Sequence, residues 1–218
     1  GKDRTAVCCL SSVNLEKWDE WSGEINFIED IMRFLDNVLE DFINNAPDSM
    51  KNAIYSAKME RSVGLGAMGF HALLQSEGLP FQGLRATSIN NVAFSHIKEQ
   101  SVEATKRLAN ERGEAPDIHG SNKRNAHLLA IAPNASSSII CGGTSPSIEP
   151  YRANVYTHKT LSGNYKVKNK YLEKLLKKKG LNAEAREKIW KDISNERGSI
   201  QNIKLFNNAH FSFKIHTV

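Results

Sequence analysis

The stretch Ala132-Pro133-Asn134-Ala135-Ser136-Ser137-Ser138 is the most informative part of this chain. A short apolar run, 128–131, precedes it, and a second one, 139–141, follows it before Gly142 and Gly143 end the run. An apolar strand that leads small hydroxyl residues into the start of a helix leaves backbone N–H groups unpaired and directed outward. Such a terminus, with serine hydroxyls added, can hold a phosphate group.

Two interpretations fit this stretch when it is taken alone. The first is an ordinary helix N-cap with spare serines, because Ser and Asn are the usual N-cap residues. The second is a phosphate-binding loop, in which Asn134, Ser136 and Ser137 are short enough to let an anion approach the backbone. Local sequence alone favours the ordinary cap, so the decision depends on the wider context.

That context is a longer motif with two companions upstream. The stretch continues into CGGTSPSIEPY (141–151), NVYT (154–157) and TLSG (160–163). The whole run resembles the carboxy-terminal part of the large, catalytic subunit of class I ribonucleotide reductases. Upstream, AVCCLSSVNL (6–15) and RSVGLG (61–66) resemble two further blocks of that family in the same order. Three ordered blocks on one chain are far more specific than any one of them.

The resemblance implies a fold of the α/β class. The family fold is a ten-stranded α/β barrel, rich in helices, and this chain would supply part of its second half. Residues 1–201 would form a partial barrel domain, its carboxy-terminal half. Residues 202–218 would form a divergent or truncated tail, because the resemblance becomes poor after about Gln201.

The resemblance also implies a reaction and a substrate site. Ribonucleoside diphosphates would be reduced at the 2′ carbon by thiyl-radical chemistry with oxidation of a dithiol, which provides precursors for DNA synthesis. The loop would bind the substrate through six residues. The diphosphate would contact Asn134, Ala135, Ser136 and Ser137, and the sugar and base would be bordered by Ala132 and Pro133.

Cys8 and Cys9 form a second candidate site. Neighbouring cysteines rarely bond to each other, because the peptide between them spaces their side chains badly. Both could be small buried hydrophobes in a strand. In the family, however, a cysteine of this block belongs to a redox pair that delivers electrons, and Cys8 aligns with it while Cys9 replaces a variable residue. Such a thiol must be reachable for exchange, and its partner is absent from this chain.

Several partners follow from the same resemblance. The family generates its thiyl radical on a cysteine in an Asn-x-Cys-x-Glu loop upstream of the Cys8 block, and this triplet does not occur here. We therefore expect the upstream half of the large subunit, a metal-containing small subunit that supplies the radical, and a reductant of the thioredoxin or glutaredoxin type. No cofactor is expected on this segment, and the chain alone should be inactive. The alternative is a catalytically inactive remnant or interaction module that retains part of the fold.

Composition excludes several other classes. The 218 residues are 40% hydrophobic, which is enough to bury a core. Much of the net charge of +5 falls within 166–191, where no aromatic platform interleaves the basic residues, which indicates a solvated helix face rather than a nucleic-acid surface. No stretch is long and apolar enough for a membrane span. Three cysteines make no disulfide scaffold, so a cytoplasmic location is expected. The seven histidines show no metal-ligand spacing.

Periodicity predicts a helix-rich chain. One amphipathic helix should begin near Ser22 or Gly23 and stop at Pro47. A helix is also predicted over 61–76. Three glycines near one face of it suggest a close backbone contact, either with another element or with a bound substrate. Their G-x-G-x-x-G spacing is a weak dinucleotide motif, because it lies inside a helical pattern and not after a strand. The remaining predicted elements are helices over 86–112, 171–179 and 183–196 and a strand over 123–131.

Overall fold

A computed structural model describes residues 3–7, 9–160 and 163–206. The strands are β1 (Leu10–Asn14), β2 (Gly64–Met68), β3 (Val155–Thr160) and β4 (Gly163–Lys168). The α-helices are α1 (Trp18–Trp21), α2 (Phe27–Asn45), α3 (Lys51–Glu60), α4 (Phe70–Ser76), α5 (Leu84–Arg112), α6 (Ser137–Ile140), α7 (Lys170–Lys178) and α8 (Ala183–Asn195). Four single turns of 3₁₀ helix lie at Leu15–Lys17, Asp48–Met50, Pro116–Ile118 and Lys204–Phe206.

Strand β2 is the centre of a parallel arrangement. On one side it pairs with β1, with Leu10 opposite Gly64. On the other side the extended segment 127–130 runs parallel to it, because the N–H of Leu65 donates to the carbonyl of Leu128 (2.8 Å) and the N–H of Ala130 donates to the carbonyl of Leu65 (3.1 Å). The strand predicted over 123–131 is thus reduced to a short extended segment with one bridge position. It pairs only briefly before Pro133, which cannot donate to a ladder.

The helix predicted over 61–76 is wrong in its first half, which is β2. All five residues of β2 are buried, and glycine disfavours a helix while it lets neighbouring chains approach. A Cβ on Gly66 would lie 2.2 Å from the carbonyl oxygen of Ala130, and one on Gly64 would lie 2.5 Å from Leu10 Cδ2. The predicted close backbone contact is therefore confirmed, and it is made with another element of this chain.

Helices α2 and α5, which were both predicted, pack against each other, and α2 also contacts β1. Helix α2 buries an apolar stripe that contains Ile28, Met32, Leu35, Leu39 and Ile43. Its start is four residues later than Gly23, because the chain first makes a turn at 22–26. The buried stripe, together with β1, β2 and α5, forms what we call the first core.

A second core lies at the carboxy-terminal side. Helices α7 and α8, predicted from their period, contribute Leu172, Leu176, Trp190 and Ile193. Phe206 is also fully buried there. Periodicity did not reveal α3, whose buried face holds only alanines and a serine, or the β3–β4 hairpin, whose second strand has mostly exposed side chains.

A fully buried carboxylate holds the amino ends of the parallel strands. Asp36 accepts hydrogen bonds from Arg61 (2.8 Å), Arg112 (2.8 Å) and Asn125 (3.3 Å), and Arg124 contacts the same group at 3.3 Å. Burial alone would raise the pKa of Asp36, but the arginines, led by Arg61, outweigh it and hold the pKa below its ordinary value. Asp36 therefore stays charged and ties α2 to the residues that precede β2 and the segment 127–130.

Candidate functional site

The predicted substrate loop lies where the parallel strands end. Strand β1 ends at Asn14, β2 ends at Met68, and the segment 127–130 leads directly into residues 132–137. In α/β barrels the carboxyl ends of the parallel strands carry the functional groups, because the loops that follow different strands meet there. The loop is thus placed at the edge at which a barrel enzyme binds its substrate.

Asn134 determines the shape of this loop. Its backbone is left-handed, with φ of 53°, a conformation that Asn tolerates better than most residues. Its side-chain Nδ2 donates to Ser12 Oγ of β1 (2.8 Å) and to the carbonyl of Ala132 (3.0 Å). The carbonyl of Asn134 accepts from the N–H of Ser138 (3.0 Å) and so starts the first turn of α6. The loop is therefore fastened to β1 at one point.

The outer side of the loop is made of small residues. The side chains of Ala135, Ser136 and Ser137 are exposed, whereas Ser138 is buried. Helix α6 begins at Ser137, and the first N–H groups of a helix have no acceptor within it. The predicted helix start after the loop is confirmed. The N–H of Ile139 already donates to the carbonyl of Ser136 (3.1 Å), as that of Ser138 does to Asn134, so the N–H groups left open to an anion are those of the exposed residues 135–137.

The chain returns across the strand ends after α6, and we call residues 142–145 the return segment. The N–H of Gly69 donates to the carbonyl of Ser145 (2.8 Å), and the N–H of Ala72 donates to Ser145 Oγ (3.1 Å). Thr144 Oγ1 lies 3.3 Å from Asn14 Oδ1. Both Thr144 and Ser145 are buried. The end of β1 and the start of α4 therefore hold the segment from two sides.

Gly69 makes this close approach possible. A Cβ at this position would lie 2.4 Å from Asn14 Oδ1 and 2.7 Å from Thr144 Oγ1, and the backbone φ is +81°. Gly64 and Gly66, by contrast, lie inside β2 rather than in a turn that follows it. The three glycines thus serve strand packing and the return segment, and they do not form the strand-to-helix turn of a dinucleotide site.

Glu16 is a further polar residue at the strand ends, and the sequence motifs gave no sign of it. Its side chain is only 10% exposed, and its Oε1 accepts a hydrogen bond from the Tyr171 hydroxyl (2.5 Å) and forms an ion pair with Lys170. Burial would raise the pKa of Glu16, but its hydrogen bonds, led by that from Lys170, hold the pKa below its ordinary value. Burial and the Glu16 carboxylate in turn raise the pKa of Tyr171. The carboxylate therefore remains charged although little of it is exposed.

Two of the three cysteines, Cys9 and Cys141, lie in the part of the chain that the structure describes. Cys8, the predicted redox residue, lies outside the described residues. Cys9 is partly buried against the first core, with its Sγ 3.8 Å from the carbonyl of Leu35. Cys141 is an exposed free thiol that follows α6. In the described part of the chain, no three His, Cys, Asp or Glu residues are grouped so that they could hold a metal ion, and no helix has the length and apolarity to cross a membrane.

Comparisons with known proteins agree with this geometry. The family model described as "Ribonucleotide reductase, barrel domain" matches residues 1–123 and 117–214. The chain is 46% identical over 200 residues to the "Ribonucleoside-diphosphate reductase large subunit" of Invertebrate iridescent virus 3, with 92% of this chain and 32% of that protein covered. It is 47% identical over 204 residues to the "Putative ribonucleoside-diphosphate reductase large subunit" of Frog virus 3, with 92% and 35% covered.

A solved structure is similar as well. The "Actinobacillus ureae class Id ribonucleotide reductase alpha subunit" superposes with a TM-score of 0.87 at 35% identity, over 98% of this chain and 39% of that one. The chain thus spans about a third of the length of the curated relatives it matches. The chain belongs to the ribonucleotide reductase family and carries part of the barrel domain of a large subunit.

Proposed function

We propose that this chain contributes the diphosphate-binding part of a class I ribonucleoside-diphosphate reductase. The observation that carries the proposal is the placement of loop 132–137 at the carboxyl ends of the parallel strands, with small exposed residues at the start of α6. Backbone N–H groups and serine hydroxyls at such a point suit a diphosphate.

The loop residues divide into three roles. Ala135, Ser136 and Ser137 would contact the diphosphate. Asn134 would also contact it and would keep the loop in shape through Ser12. Ala132 and Pro133, which precede the left-handed residue, would border the sugar and base.

The reaction proposed is the reduction of ribonucleoside diphosphates to 2′-deoxyribonucleoside diphosphates. The resemblance of the Cys8 block supports a role for Cys8 as one thiol of the pair that is oxidised to a disulfide as the substrate is reduced. The thiyl radical would come from the upstream half of the large subunit, with a metal-containing small subunit as its source and a thioredoxin- or glutaredoxin-type protein as reductant. Positioning of the reacting thiol against the ribose is worth several kcal/mol, so the chain alone should show no turnover.

A reconstitution tests this function. The chain is mixed with a polypeptide that carries the upstream half, the small subunit, a dithiol reductant and cytidine diphosphate, and the deoxy product is measured. Turnover should require the upstream half. Product formation by the chain alone would contradict the proposal, and absence of product with every partner present would favour the inactive remnant.

The loop assignment is tested separately by charge. Ser136→Asp should weaken cytidine diphosphate binding by about tenfold or more, because it places a carboxylate beside the phosphates. Ser88→Asp is the matched control, since Ser88 is another exposed serine near the start of a helix, in α5. Equal affinities of the two variants would remove loop 132–137 from the site.

A further inference from the structure

We propose that Lys170 is a positioning residue for the substrate loop and acts through Glu16 and the return segment. The inference rests on the function proposed above and adds to it a residue outside the family motifs quoted for the loop. Lys170 is the first residue of α7. Its ammonium group pairs with the carboxylate of Glu16 and lies 3.4 Å from the carbonyl of Gly142. One side chain therefore joins α7, the end of β1 and the start of the return segment.

The connection continues to the helix that follows the loop. The backbone N–H of Glu16 donates to Asn14 Oδ1 (3.1 Å), which also lies within reach of the Thr144 hydroxyl. The N–H of Thr144 donates to the carbonyl of Ser138, the second residue of α6 (3.1 Å). A shift of Glu16 would thus be transmitted to α6 and to the loop that precedes it.

Stability alone does not explain a carboxylate in the surroundings of Glu16. Its Oε1 receives both the Tyr171 hydroxyl and the Lys170 ammonium group, while its buried Oε2 has no hydrogen-bond partner among the described residues. The Glu16 side chain is only 10% exposed, whereas that of Lys170 is 40% exposed. Desolvation of the carboxylate offsets much of a Coulomb attraction that water already screens on the lysine side, so the pair contributes little net stability. What the pair supplies is a fixed geometry.

The location of the pair explains why that geometry matters. Leu15, next to Glu16, belongs to the first core, and Tyr171, next to Lys170, belongs to the second core. The pair therefore joins the two cores beside the return segment. Tyr151, which also contacts this region, donates its hydroxyl to the carbonyl of Gly143 (2.9 Å).

The test compares two lysines of one helix. Lys170→Met keeps the aliphatic stem and removes the ammonium group. The matched control is Lys174→Met, one turn further along α7. Lys174 also lies over the Tyr171 ring, at 5.7 Å against 5.3 Å for Lys170, but it forms no ion pair with the described residues. Amide hydrogen exchange of peptides that cover 138–147 and the affinity for cytidine diphosphate are both measured on the full chain.

Lys170→Met should speed exchange in the return segment and weaken cytidine diphosphate binding by about tenfold each, since hydrogen bonds to charged groups are worth roughly that factor. Lys174→Met should change neither quantity. Glu16→Gln, which keeps the shape of the side chain, should give the same local pattern as Lys170→Met and serves if that variant folds poorly. Faster exchange spread over both cores would instead indicate general unfolding and would contradict a positioning role.

The outcomes separate this inference from the proposed function. If the wild-type chain binds cytidine diphosphate and Lys170→Met leaves its affinity unchanged, the positioning role is wrong. If the wild-type chain binds no cytidine diphosphate but Lys170→Met still loosens the return segment, the link from Lys170 to the loop stands and the substrate assignment falls. If neither exchange nor binding responds to Lys170→Met or Glu16→Gln, the inference is overturned.

Discussion

A single methyl group added to Gly66 should separate the central strand from its neighbour. The Cβ of Gly66→Ala would lie 2.2 Å from the carbonyl oxygen of Ala130, whereas carbon and oxygen atoms in close contact stay roughly 3.3 Å apart. The segment 127–130 must therefore move by about 1 Å. Overpacking of this kind costs about 1–3 kcal/mol. The two backbone hydrogen bonds that join Leu65 to this segment contribute about 0.5–1.5 kcal/mol each.

Gly66→Ala should thus lower the free energy of unfolding by about 2–6 kcal/mol, a large part of the roughly 5–15 kcal/mol that a domain possesses. Urea unfolding followed by circular dichroism measures it. Gly23→Ala is the matched control, because no heavy atom would lie within 4 Å of its Cβ, and it should agree with wild type within about 0.5 kcal/mol. Equal midpoints for the two variants would refute the close-approach argument.

Three further predictions address the strand starts, the strand ends and the thiols. Asp36→Asn should cost about 3–5 kcal/mol of unfolding free energy at neutral pH, because it removes the fully buried partner of Arg61 and leaves this arginine with the half-exposed Glu40. The pKa of Asp36 is lower in the folded chain than its ordinary value of 3.8, so the stability that the Asp36 carboxylate contributes is lost as the pH falls below 3.8. Urea unfolding at a series of pH values below 3.8 should show this loss in wild type and in the exposed control Asp41→Asn. Asp36→Asn should not show it. Gly69→Ala combines a clash with a left-handed backbone and should cost about 1–3 kcal/mol or more in thermal unfolding, so a melting temperature equal to wild type would contradict it. In the reconstituted enzyme, Cys8→Ser should abolish multiple turnover with a dithiol reductant while Cys9→Ser keeps much of it, and the reverse result would shift the alignment of this block by one residue.

The parts of the fold that the sequence predicted are those with a local signal. Helices α2, α5, α7 and α8 repeat buried residues at the period of a helix, so neighbouring residues suffice to recognise them. Strand β2 was misassigned because a short glycine-rich strand buried on both faces shows neither the helical nor the alternating period. Its identity depends on partners far away along the chain.

The candidate site also has a part that the sequence predicted and a part that it did not. Loop 132–137 was recognisable because its motif is contiguous. The hydrogen bond from Asn134 to Ser12 and the contact between Lys170 and Glu16 join residues that are more than a hundred positions apart. Such pairs leave no trace in a single sequence, since each member alone is an ordinary surface-type residue.

The parallel pairing around β2 also constrains the order in which the chain can assemble. Leu10 meets Gly64, and Leu65 meets Leu129, so each pairing closes a loop of more than fifty residues whose entropic cost must be met before any contact is gained. At a synthesis rate of roughly 5–20 residues per second, several seconds separate the emergence of one strand from that of the next. During that interval β1 and β2 present an open backbone edge, which is a template for unintended pairing. Helix α2, which is formed by local contacts and packs against β1, emerges before the segment 127–130 and can cover the nascent β1–β2 pair first. The segment 127–130 must then pair with β2 after one face of the sheet is already covered. The two glycines of β2 leave room for this segment to approach.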